Sequence, residues 1–231
     1  MRSVAQTTRT ATAPRRKKAP NAKTPVAHEP RAKAGKYHHG DLRRALLDQA
    51  VRTIQLHGVD ELTLRGVGRD LGVSRTALYR HFADKAALVE AVAAQGFRTL
   101  RERLTEAWTQ GGEGGGFAAM AAAYVHFALE QPSHYRVMFG AALDAASCDP
   151  DLTVEGAGAF QALVDAITWQ QREGLLRDDD PLQLANYVWS VVHGISMLAL
   201  DGRLRANSDE IDLLVSFAVK RIRTGIEKLD P

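Results

Sequence analysis

The segment from Leu62 to Lys85, reading Leu-Thr-Leu-Arg-Gly-Val-Gly-Arg-Asp-Leu-Gly-Val-Ser-Arg-Thr-Ala-Leu-Tyr-Arg-His-Phe-Ala-Asp-Lys, leaves few folds open to this chain. It spells helix, tight turn, helix. Thr63 can cap a first helix through its hydroxyl, and Leu64, Val67 and Leu71 then recur on one face. Gly72 supplies the left-handed residue that ends that helix, and Val73 is expected to drop into the core and fix the crossing angle. Ser74 caps a second helix, whose Leu78 and Phe82 lie one turn apart on the inner face. Arg75, Thr76 and Tyr79 are left on the outer face, the one such a motif presents to base edges and phosphates. The spacing therefore predicts a surface for double-stranded DNA. A plain helical hairpin needs neither this turn chemistry nor an outer face that is both aromatic and basic.

These residues resemble the N-terminal domain of the tetracycline-repressor (TetR) family of bacterial transcription regulators. The likeness begins at Tyr37-His38-His39-Gly40-Asp41-Leu42-Arg43-Arg44-Ala45-Leu46-Leu47 and continues through Leu56-His57-Gly58. It is densest at Gly72-Val73-Ser74 and at Leu78-Tyr79-Arg80-His81-Phe82-Ala83-Asp84-Lys85. The resemblance implies that Thr63 and Arg65 touch phosphates or flanking bases and that Arg75, Thr76 and Ala77 face the major groove of operator DNA. It further implies that Tyr79 and His81 grip the backbone and that Lys85 holds a phosphate. The chemistry agrees: a guanidinium can donate two bonds to guanine, whereas a phenol or an imidazole offers the single donor that suits a phosphate oxygen. Gly66 and Gly68 depart from the helix-favouring residues usual in the family, and each glycine lowers helix stability by roughly 1 kcal/mol relative to alanine. A loosened first helix is the expectation.

The formal charge of +3 conceals a strong asymmetry. Residues 1–36 hold ten Lys or Arg against one acid, and the remainder twenty against twenty-six. Around Arg15-Arg16-Lys17-Lys18 there is almost no large apolar residue, so residues 1–35 are expected to be a disordered basic arm. Two uses fit it: a tail that slides over DNA phosphates, or a solubilising leader. It has no apolar stretch of the kind a secretory signal needs, and no run of eighteen apolar residues crosses a membrane. Single Cys148 excludes an internal disulfide and suits a reducing cytoplasm.

Residues 36–84 read as the three-helix DNA-binding domain and residues 85–231 as a second helical domain, giving an all-α chain of about nine helices. Asp84 is expected to cap a helix to about Gln110, broken by a flexible hinge at Gly111–Gly116. Further helices follow from Phe117, from Pro132 and from Asp149-Pro150, the last of these ending at Gly174. Asp180-Pro181 is a cap with proline at the first helical position, and that helix closes at Gly202. Ser208 is expected to cap the last, running to about Lys228.

The Tyr187-Val188-Trp189-Ser190-Val191-Val192-His193-Gly194 stretch, with Pro132 to Phe139, resembles a C-terminal domain type of the same family known for Trp, His and Gly. That resemblance implies an effector pocket and a homodimer built from the last two helices. Candidate pocket residues are Trp108, Tyr124, Phe127, Met138, Trp169, Trp189 and His193, which would suit a largely apolar small molecule. The dimer face is expected at Leu182, Ala185, Trp189, Val192, Ser196 and Ala199, with Ile211, Leu214, Val215, Ala218 and Ile222. No metal-ligand spacing, cofactor loop or nucleophile–base pair points to catalysis, so no metal, cofactor or enzyme activity is expected. The leading reading is a repressor released by a small effector. The alternative is a DNA-binding scaffold whose second domain serves only dimerisation or protein contacts.

Overall fold

The computed structural model describes residues 39–143, 149–204 and 206–226, with the side chains of residues 42–112, 116–143, 149–204 and 206–226. The basic arm and Cys148 lie outside these residues. Among the described residues the chain forms nine helices and no strand: α1 His39–His57, α2 Leu64–Asp70, α3 Arg75–Tyr79, α4 Lys85–Gln110, α5 Gly112–Glu130, α6 Pro132–Phe139, α7 Pro150–Arg172, α8 Pro181–Leu200 and α9 Ser208–Ile226. None of the described helices is long and apolar enough to cross a membrane.

Side-chain caps fix where most of these helices begin. Thr63 accepts from the Gly66 amide, Ser74 from Ala77, Asp84 from Ala87, Asp149 from Leu152 and Asp180 from Leu182. Each satisfies an amide that has no partner within its own helix. After α2 the chain reverses through Gly72 at φ +65°, with Gly72 N donating to the Arg69 carbonyl at 3.0 Å and Val73 N to the Gly68 carbonyl at 2.8 Å. That is the paired bonding of a Schellman ending. Val73 stays half-buried rather than entering the core as expected, and Leu78 and Phe82 fill the space beneath α3 instead.

Two boundaries differ from expectation. The glycine run is no hinge: only Gly111 separates α4 from α5, and residues 112 to 116 form the first turns of α5. A β-carbon at Gly116 would stand 2.8 Å from the Trp108 ring and 3.0 Å from the Trp108 carbonyl oxygen. Glycine there lets α5 start flush against the end of α4. The cap of α9 is Asn207, not Ser208. Its side chain accepts from the Glu210 amide at 3.0 Å while Glu210 accepts from the Asn207 amide at 2.8 Å, a reciprocal box that leaves Ser208 inside the helix.

Helix α4 joins the two halves. At 1.5 Å per residue its length is about 39 Å. Its start packs against α1 of the first three helices, and its remainder lies among α5, α6 and α7. Arg98 and Arg101 of α4 both reach Glu155 of α7 at 2.9 Å. Arg136 of α6 donates to the Leu200 carbonyl at the end of α8, and His126 of α5 meets Asp212 of α9 at 2.6 Å. The predicted dimer stripe turns out to be mostly inward. Ala185, Val192, Ser196, Ile211, Val215 and Ile222 are all buried within the chain, because α8 and α9 pack on α5 and on each other. The large apolar residues left outside are Leu182, which belongs to the expected stripe, with Tyr187 and Leu198 of α8 and Leu213 and Phe217 of α9.

Candidate nucleic-acid interface and apolar chamber

Helix α3 turns Leu78 into the core and leaves Arg75, Thr76 and Tyr79 exposed. The Arg75 guanidinium lies 5.4 Å from the centroid of the Tyr79 ring, so the ring steers the cation it supports. Ala77 and His81 are half-buried, and Arg65 is exposed on α2. Thr63 Oγ1 accepts from the Gly66 amide in the cap, and its hydroxyl keeps a proton to donate. Lys85, the first residue of α4, donates to the Asp60 carbonyl at 3.0 Å and ties the α1–α2 loop to α4; its ammonium keeps further protons for an anion.

The two unusual glycines of α2 have steric reasons. A β-carbon at Gly66 would come within 2.8 Å of Thr63 Oγ1, the capping oxygen. At Gly68 it would stand 3.1 Å from Leu78 Cδ2. Glycine at these positions thus admits the cap and a close α2–α3 crossing, which offsets the weaker helix propensity.

In the second half, α4, α5, α7 and α8 surround a cavity of about 420 Å³. Its wall is made by Phe97, Leu100 and Leu104 of α4, by Phe117, Met120 and Tyr124 of α5, and by Phe160 and Leu163 of α7, with Trp189 of α8 and Phe139 at the end of α6. The volume falls within the range that holds small-molecule ligands. Of the candidates named from sequence, Tyr124 and Trp189 line it. His193 lies one layer behind. Phe127 is fully buried beneath the Arg103 guanidinium, and Met138 packs against Gly96 of α4. Trp108 and Trp169 form an edge-to-face pair with centroids 5.5 Å apart, away from the chamber wall. Sequence reasoning missed Phe97, Leu100 and Leu104, although their helical spacing marks one face of α4.

From the wall residues Tyr124 and Trp189 a compact polar cluster runs inward to Tyr135 and His193. The Trp189 indole N–H donates to the Tyr124 hydroxyl at 2.9 Å. His193 Nδ1 is 2.7 Å from the Tyr135 hydroxyl and 3.1 Å from that of Tyr124, and the two phenols are 3.2 Å apart. Burial, reinforced by the neighbouring Tyr135, pushes the Tyr124 phenol far above its ordinary range. Burial also raises Tyr135 and lowers His193. All three groups therefore stay uncharged near neutral pH. Among the described residues no group of three His, Cys, Asp or Glu is placed to hold a metal ion.

Residues 46–92 match the family described as bacterial regulatory proteins, tetR family, and residues 117–222 match the tetracyclin repressor-like C-terminal domain. The chain is similar to an HTH-type transcriptional regulator of Mycobacterium tuberculosis, at 23% identity over 80% of this chain and 82% of that protein. It is also similar to a solved protein of unknown function from Rhodococcus sp. RHA1, at 34% identity and TM-score 0.75, covering 84% of this chain and all of the other. A third likeness, of fold alone, is to SmeT in its complex with triclosan, at 22% identity and TM-score 0.57 over 80% of this chain and 91% of that one.

Proposed function

This chain belongs to the TetR family of bacterial transcriptional regulators, and we propose that it is a homodimeric repressor that a small molecule releases from its operator. Regulators of this family bind operator DNA as dimers and are not enzymes. The finer reading rests above all on the continuity of α4. One unbroken helix begins at Lys85 beside the DNA-binding motif and carries Phe97, Leu100 and Leu104 into the chamber wall. A ligand that spreads those walls must move or tilt the helix on which the motif is seated. By linkage, operator DNA would then weaken ligand binding by the same factor.

In this reading Arg75, Thr76 and Ala77 face base edges, while Thr63, Arg65, Tyr79, His81 and Lys85 meet phosphates. Tyr124 and Trp189 touch the effector. Dimerisation uses the outward faces of α8 and α9, so that two recognition helices lie about one DNA turn apart, roughly 34–36 Å. The protein acts in the cytoplasm. Selection of bound duplexes from a random pool, followed by gel shift with and without chamber ligands, tests the reading. A two-fold symmetric site whose complex dissociates on ligand addition is expected. Tight site-specific binding that no chamber ligand disturbs would overturn effector release and leave a DNA-binding scaffold.

A further inference from the structure

We propose that the chamber takes an uncharged, mostly apolar molecule whose single hydroxyl or carbonyl group docks on the Tyr124 phenol. The inference rests on reading the chamber as the effector site and adds the chemical class of its occupant. The space is too large to be a packing fault: about 420 Å³ equals the liquid volume of roughly fourteen waters at ~30 Å³ each. Among the described residues no Asp, Glu, Lys, Arg or His lines it. A carboxylate or an ammonium entering it would lose hydration with no opposite charge to replace it, which is the most unfavourable burial a ligand can face.

Among the described residues only Tyr124, Asn186 and Trp189 bring hydrogen-bonding side chains to the wall. Asn186 is exposed, and the Trp189 N–H is already given to Tyr124. That leaves the Tyr124 hydroxyl, and its own bonds are loosely allotted. A neutral imidazole presents at most one lone pair at Nδ1. The Tyr135 hydroxyl is the nearer claimant to His193 Nδ1, at 2.7 Å against 3.1 Å for Tyr124. Whether it turns to His193 at 3.1 Å or to Tyr135 at 3.2 Å, the Tyr124 proton has only the two longest contacts of the cluster. Turning that proton to a ligand oxygen gives up little. The second lone pair of Tyr124, beside the one taken by Trp189, can accept from a ligand hydroxyl. An alcohol or phenol can use both capacities, and a ketone or ester uses the first. The two tyrosines and the histidine stay neutral, as their burial dictates, so this cluster supplies no counter-charge.

The test uses the full chain at pH 7.5 with five probes of matched length below their aggregation limits: 1-decanol, 2-undecanone, n-undecane, decanoate and decylammonium. Affinities are read by quenching of tryptophan fluorescence and by calorimetry, and operator release by gel shift. Decanol and undecanone should bind about 3–10-fold more tightly than undecane, as one hydrogen bond provides, and both ions should bind at least tenfold more weakly than decanol. In Tyr124→Phe the alcohol and ketone should fall to the level of undecane, which itself should be unchanged; the wild-type series stands without that variant if it fails to fold. Decanoate or decylammonium binding as tightly as decanol overturns the proposal, as does binding of none of the five. Binding in the expected order without operator release would uphold the ligand class and sink the effector reading. An ion that both binds and releases operator would do the reverse.

Discussion

Arg75 and Tyr79 are neighbours on one turn of α3, with the guanidinium over the phenol ring, and this contact would join the two different tasks proposed for them. Arg75→Ala should relax base preference at one position of each half-site, at roughly 1–3 kcal/mol of discrimination. Tyr79→Phe keeps the ring that supports Arg75 and removes only the hydroxyl, so it should weaken all sequences about equally. Competition binding against single-base operator variants checks both; a changed base preference in Tyr79→Phe with none in Arg75→Ala would reverse the two roles. His134 presents a different case. Among the described residues neither ring nitrogen has a hydrogen-bond partner, and burial lowers its pKa although the carboxylate of Asp48 on α1 partly opposes this. Its unfolded counterpart protonates near pH 6.5, so between that value and the lower folded pKa the unfolded chain holds the extra proton. Stability should therefore fall as pH drops below about 6.5. His134→Leu removes no hydrogen bond, so it should hold stability at pH 7.5 and flatten part of the acid loss, as measured by urea melts between pH 7.5 and 5. An unchanged acid slope in His134→Leu would rule this out.

Helix starts are written in single residues, which is why Thr63, Ser74, Asp84, Asp149 and Asp180 are legible as caps from the amino-acid order alone. A cap depends on the four residues that follow it, and nothing distant can easily override it. The start of α5 is not legible for the opposite reason. Glycine's weak helix propensity argues for a hinge, but what decides is the fit of Gly116 beneath Trp108, a meeting of two helices. The chamber shows the same division. Composition points to aromatic residues, yet the crossing of α4, α5, α7 and α8 admits Tyr124 and Trp189 and sends Phe127 and Met138 elsewhere. Lys85 belongs to this scale because it works at the seam of two elements. Its bond to the Asp60 carbonyl makes it a clamp on the α1–α2 loop, and its remaining protons suit a phosphate. Lys85→Met should weaken operator binding and reduce the salt slope by about 0.9 for each phosphate that the ammonium had neutralised. Weaker binding with an unaltered slope would leave it the clamp alone.

A regulator that reads a two-fold site needs its two motifs at a fixed distance, and α8 and α9 carry the surface that can fix it. Their richer apolar stripes are spent inside the subunit, where Ala185, Val192, Val215 and Ile222 are buried. The outer faces still hold Tyr187, Leu198, Leu213 and Phe217, with Leu213 at 70% and Phe217 at 57% exposure, apolar area that a partner surface would remove from water. Two copies meeting through these faces would form an isologous four-helix contact, each residue serving both sides of the axis. The consequence for mutation is specific. Ala218 is only half-exposed, so a charge there would disturb the subunit as well as the interface. Phe217→Asp places a charge on the outward face and leaves the inward stripe intact. Sedimentation should show a monomer with the helical content and chamber-ligand affinity of the parent, and operator binding should fall to the level of one half-site. A Phe217→Asp protein that still sediments as a dimer and binds its operator normally would move the interface off this face.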